Sequence, residues 1–279
     1  MKSNLSLLMR ILPLVFAITF IYSCSNNPSN NEENTNDTVT TTSKTPVEIN
    51  TQYKLPLPVE LYEFLVEAKA NYNGQSLNPI TNVSKYISSE SKTINFGIYA
   101  SDLAYCTSFG KNQETFKYFS TCKKIADELG LIEGFDQKVV SRIDKSINNK
   151  DSLYQITKNS YSDVINVLQS QGKIKLLPLI VTGAWLESVY ISINSVNKFS
   201  PENKIVLRIA EQQLLLENLI DYFKSIPEED QNKDVFNKLI DLQKSYDKLY
   251  DNTDEIITKA QYNEISKKVI ALRTEFINK

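Results

Sequence analysis

The stretch 262–276, YNEISKKVIALRTEF, sets Tyr262, Ile265, Val269, Leu272 and Phe276 apart by three, four, three and four residues. A helix with about 3.6 residues per turn lines such positions along one face, so the sequence predicts a helix with a single buried seam. Before it, Val235, Leu239, Leu242, Tyr246 and Leu249 repeat the pattern with the alternate spacing. Ser200-Pro201-Glu202 combines a capping serine, a proline at the first helical position and an acid in the first turn. It predicts a helix running from there to about Ser225, stopped by Pro227. Further helices are expected at about 58–71, 91–108, 112–129, 135–148, 152–170 and 174–196, with Gly110, Gly130 and Gly172 as C-terminal caps. Asn73-Gly74 follows a helical pattern and is not flanked by alternating apolar runs, so it reads as a helix stop rather than a hairpin turn. No run alternates as a strand does, and no repeat near 34 residues is visible. The expected fold is all-α, a multi-helix bundle or irregular helical array of about eight or nine helices.

The most apolar part of the domain is 176–193, LLPLIVTGAWLESVYISI. As a membrane span it would put Glu187 into hydrocarbon at a cost of several kcal/mol, so a central helix buried on most sides is the better reading. Two glycines stand inside predicted helices, Gly97 and Gly183, although a mid-helix glycine costs about 1 kcal/mol against alanine. Close approach of two helix backbones is the simplest reason. Each comes with an acid and tyrosines at helical spacing: Tyr99, Asp102 and Tyr105 on one helix, Glu187 and Tyr190 beside Trp185 on the other. A carboxyl on an apolar helix must be paired, hydrogen-bonded or protonated. These six residues are therefore the candidate cluster, read first as a buried polar network and second as the floor of a ligand pocket.

The chain contains no histidine. That excludes Ser-His-Asp and Cys-His catalysis and histidine-built zinc sites. It also sets the chain apart from helical envelope lipoproteins of the imelysin type, which carry a histidine-and-glutamate motif. Carboxylate-only or Ser-Lys chemistry remains open, without a motif for either. No catalytic residue, metal ligand or cofactor is assigned. The formal charge of −2 becomes −4 without Lys2 and Arg10, which leaves 29 basic against 33 acidic residues. Mild acidity argues against a nucleic-acid partner. Cys106 and Cys122 lie on neighbouring helical patterns on either side of a turn. A stagger of roughly 10 Å favours buried free thiols over a disulfide.

The N-terminus carries its own signal. Lys2 and Arg10 precede an apolar run, ILPLVFAITFIY at 11–22, which is about a dozen residues and too short to span a bilayer. Ile21-Tyr22-Ser23-Cys24 resembles the lipobox of bacterial lipoproteins, an aliphatic, a variable and a small residue before an invariant cysteine; Tyr22 is bulkier than usual for its place. The resemblance covers this segment alone and implies cleavage before Cys24 and acylation of that cysteine, palmitate included. The resulting expectation is a signal peptide over 1–23, a lipid-anchored flexible linker over 24–50 and a helical domain over 51–279. The linker, rich in Asn, Ser, Thr and Glu, buries too little apolar surface to fold. Residence in the cell envelope follows, at the outer membrane facing the periplasm, with the lipid on Cys24 in the membrane and an envelope protein or small ligand as partner. Three functions compete: non-catalytic binding or scaffolding of a partner, a small-ligand pocket around Tyr99, Asp102, Trp185 and Glu187, and a carboxylate-based hydrolase of envelope glycans.

Overall fold

A computed structural model describes residues 57–131, 145–146, 149–253 and 256–279. The lipobox, the linker and most of the helix expected at 135–148 lie outside the described residues. The fold is all-α. Nine helices are present among the described residues: α1 (Pro58–Glu67), α2 (Ser89–Ser108), α3 (Asn112–Glu128), α4 (Lys150–Ser170), α5 (Leu177–Asn194), α6 (Lys204–Ala210), α7 (Gln212–Lys224), α8 (Lys233–Asp247) and α9 (Lys259–Asn278).

At the centre α2 and α5 pass each other at backbone contact. A Cβ on Gly97 would stand 2.0 Å from the Ile180 carbonyl oxygen, and one on Gly183 would stand 2.1 Å from that of Ile94. Each glycine thus admits the backbone of the other helix, which offsets its poor helix propensity. Asp102 and Glu187, four or five residues beyond the glycines and roughly 6–8 Å further along each axis, lie close enough to interact electrostatically. The two helices therefore run in the same sense. Nearly all of both is buried, Trp185 completely. Around them pack α1, α3 and α4 on α2, and α6, α7 and α9 on α5, while α8 closes the sheath against α7 and α9. The apolar segment 174–194 is long and apolar enough to cross a membrane, and most of it is buried inside this bundle. The α9 seam faces inward as its spacing predicts, with Ile265, Val269 and Phe276 buried.

Gly110, Gly130 and Gly172 do cap α2, α3 and α4, at φ of 65°, 66° and 64°. Three boundaries differ from the sequence reading. First, α1 ends at Glu67, because Lys69 takes the left-handed conformation at φ 58°. Asn73-Gly74 instead opens a short 3₁₀ turn, Asn73 accepting from the Gln75 N–H. Second, the helix expected from Pro201 begins at Lys204, since Asn203 is the residue whose side chain accepts from a first-turn N–H (Ile205, 2.8 Å), while the Ser200 hydroxyl binds Glu202. Third, that helix is interrupted at Glu211. There the Arg208 carbonyl accepts from the Gln212 side-chain amide, whose oxygen takes the Trp185 indole N–H. Cys106 and Cys122 are buried free thiols.

Candidate functional site

The two acids picked out by sequence meet at the α2–α5 crossing, and a third group that the spacing argument passed over completes them. Arg273, from α9, donates from Nε to Glu187 Oε2 at 2.9 Å and from Nη2 to Glu187 Oε1 at 2.8 Å. This two-point geometry is the strongest a carboxylate and a guanidinium can adopt. The same Nη2 reaches the Ser76 carbonyl at 3.2 Å, and the guanidinium carbon lies 4.3 Å from the centre of the Tyr190 ring. Side-chain exposure is 7% for Arg273 and nil for Glu187, so the pair is desolvated.

Asp102 sits beside Glu187, fully buried. Its Oδ2 accepts from the Asn78 backbone N–H at 3.1 Å, whereas Oδ1 has no donor. Burial and then the Glu187 charge push the Asp102 carboxyl well above the ordinary carboxylate range. Burial raises Glu187 too, but the hydrogen bonds and charge of Arg273 hold it back. Burial works against the Arg273 cation, and Glu187 more than offsets it. Burial thus favours the neutral form of Asp102, beside a Glu187 carboxylate whose charge Arg273 matches.

Asn78 holds this centre to the rest of the chain. It lies in the segment between α1 and α2, fully buried. Its side-chain amide donates to the Tyr86 hydroxyl at 2.9 Å, its side-chain oxygen accepts from Asn82, and its carbonyl accepts from the Tyr118 hydroxyl at 3.1 Å. Tyr99 donates to the Pro79 carbonyl at 2.9 Å, and Tyr62 and Ser101 share a 2.7 Å bond. Burial keeps the hydroxyls of Tyr62, Tyr99 and Tyr118 protonated. The end of α9 is fastened to the same network. Asn95 donates to the Phe276 carbonyl, Tyr86 to that of Ile277 and Ser91 to that of Lys279. Those carbonyls have no partner within the helix, so α2 and its approach segment serve as the C-terminal cap.

Of the six candidates, then, Asp102 and Glu187 form the centre, Tyr99 lines its border and Tyr190 carries the guanidinium on its ring. Tyr105 and Trp185 are held by other partners. The Tyr105 hydroxyl accepts from the Asn73 N–H at 2.9 Å, and its ring stacks on Tyr72 at 5.1 Å; Trp185 is held by Gln212. No protein-family model matches the chain, and no curated protein or solved structure shows significant similarity to it.

A neutral Asp102 makes a thermodynamic prediction. With its folded pKa raised, the unfolded chain holds fewer protons than the folded one once pH exceeds about 4, the ordinary aspartate value. Stability then falls as pH rises, by up to about 1.4 kcal/mol per pH unit, until Asp102 ionises in the folded state. Asn keeps the size of the neutral carboxyl and an oxygen to accept from Asn78, yet carries no proton to lose. Asp102→Asn is expected to match the wild type near pH 4 and to exceed it increasingly toward pH 8. Urea unfolding across that range reads the difference; one that stays constant or narrows contradicts a protonated Asp102.

Proposed function

We propose that this protein is a lipid-anchored component of the bacterial cell envelope, exported through residues 1–23, acylated on Cys24, and positioned at the outer membrane facing the periplasm. Its helical domain acts as a non-catalytic module that binds or scaffolds a partner. The observation that carries the non-catalytic reading is that the buried acids found among the described residues, Asp102 and Glu187, are spent internally. Glu187 is bound at two points by Arg273, and Asp102, fully buried beside it, accepts from the Asn78 backbone N–H.

Glycoside hydrolysis by a carboxyl pair needs both groups open to sugar and water; here both carboxyls are fully buried and Glu187 is held at two points by Arg273. A small ligand among Tyr99, Asp102, Trp185 and Glu187 would have to displace partners that already satisfy these side chains. The anchoring half of the proposal rests on Ile21-Tyr22-Ser23-Cys24 and on the polar run after it. Several acyl chains, at about 0.8 kcal/mol per buried methylene, give stable attachment.

Cys24→Ala is expected to shift the protein from the membrane to the soluble fraction and to abolish incorporation of labelled palmitate. Intact mass of the wild type should correspond to a chain beginning at acylated Cys24. An unmodified chain starting elsewhere refutes the anchor.

A further inference from the structure

We propose that the hollow between the end of α1, the end of α5 and the start of α6 is a binding site for an anionic saccharide, a sugar bearing phosphate or carboxylate. It has a volume of about 580 Å³, within the ordinary range for small-molecule sites. Lys69, Lys198 and Lys204 line it together with Asn71 and Asn197, and no acid does, Glu67 and Glu202 included. None of the three ammonium groups forms an ion pair or hydrogen bond among the described residues. A second hollow shows the contrast. Lined by Asp234, Lys238, Asp241, Lys268 and Glu275, it has both its lysines ion-paired, Lys238 with Asp234 and Glu275 and Lys268 with Asp241. Three unpaired ammonium groups around one concavity raise the local concentration of anions despite the chain's net negative charge. The asparagine amides add neutral donors and acceptors suited to hydroxyls.

The backbone supplies an independent observation. α1, α2, α3 and α4 close with the same double hydrogen bond, in which the residue at positive φ donates to the third carbonyl back and the next residue to the fifth. For α1 these are Lys69 to Val66 and Ala70 to Leu65; for α2, Gly110 to Thr107 and Lys111 to Cys106. Glycine fills the left-handed position in α2, α3 and α4. In α1 it is Lys69, at a penalty of about 1 kcal/mol. A lysine kept where glycine relieves strain, at the rim of a hollow whose charged lining is all cationic, is explained by what its ammonium binds.

The test uses the full chain carrying Cys24→Ala, so that no acyl anchor competes, and reads glucose 6-phosphate binding by calorimetry, with glucose and inorganic phosphate alongside. Saturable binding of glucose 6-phosphate, tighter than either fragment and weakened by salt, is expected. Lys69→Gln/Lys198→Gln/Lys204→Gln should weaken it at least tenfold with an unchanged circular dichroism spectrum. Lys69→Gly should raise the thermal midpoint by about 2–4 °C, from relief of backbone strain, while weakening binding several-fold. A stabilised Lys69→Gly with unaltered binding overturns the proposal, as does a failure of glucose 6-phosphate to bind saturably. Lysine-dependent binding to vesicles of phosphatidylglycerol over phosphatidylcholine, without binding of the sugar phosphate, overturns it in favour of a lipid headgroup. None of these outcomes depends on whether Cys24 is acylated.

Discussion

Gly183→Ala is expected to destabilise the domain by about 3 kcal/mol or more, at the upper end of what overpacking costs. On an open helix the same change would gain about 1 kcal/mol through propensity, so the sign itself is diagnostic. The added methyl would lie 2.1 Å from the Ile94 carbonyl oxygen and 3.2 Å from the Ile98 nitrogen. These are backbone atoms of a helix buried on nearly every side, with no flexible end to swing away. Gly97→Ala meets the Ile180 carbonyl at 2.0 Å and should cost as much. Both clashes are relieved by the same separation of α2 and α5, so the double variant should lose clearly less than the sum of the two. Urea unfolding followed by the fluorescence of Trp185, the sole tryptophan and fully buried on α5, reads all three. Neutral or stabilising alanines would mean that the two helices do not touch at these points.

Arg273→Met is expected to be comparably severe, about 3–5 kcal/mol, because it leaves Glu187 as a buried carboxylate with no counter-charge. Ser76 and the Tyr190 ring lose their contacts with the guanidinium as well. The Met side chain keeps much of the apolar length, so most of the loss is electrostatic. Glu187→Leu combined with Arg273→Met removes both charges and should recover a large part of it. If the double variant is as unstable as Arg273→Met alone, the cost lies in packing rather than in an unpaired charge. Chemical denaturation at pH 7 separates the two cases.

Periodicity made the bundle legible. The α9 seam follows from spacing alone, because helix faces repeat at about 3.6 residues whatever packs against them. The glycine caps of α2, α3 and α4 follow from residue type, and the burial of α5 from its apolarity on every side. Gly97 and Gly183 were legible for a related reason, since a residue that costs helix stability must be compensated elsewhere. Arg273 was missed although a signal existed. It stands four residues after Val269 and three before Phe276, on the inward face of its helix. A guanidinium on that face is the same anomaly as a carboxylate on an apolar helix, and it names the partner that Glu187 requires. Asn78 left no comparable trace. It sits in an irregular segment, and nothing periodic marks a residue whose backbone and side chain fasten Asp102, Tyr86, Asn82 and Tyr118 together. The boundary at Ser200 failed on competition between neighbours, because Glu202 takes the serine hydroxyl and leaves capping to Asn203. The cationic hollow was invisible to net charge, since Lys69 lies far in sequence from Lys198 and Lys204, in a chain that is acidic overall.

That Asp102 and Glu187 form a closed, internally neutralised cluster rather than an open site can be read directly from the side-chain carboxyl carbons. Carbon-13 NMR of the aspartates should show one signal, absent from Asp102→Asn, at the position of a protonated acid at pH 7. It should stay unmoved as the pH is taken through the range of an ordinary carboxylate, about 4. An Asp102 signal that titrates with the others and is fully ionised at pH 7 would contradict the account.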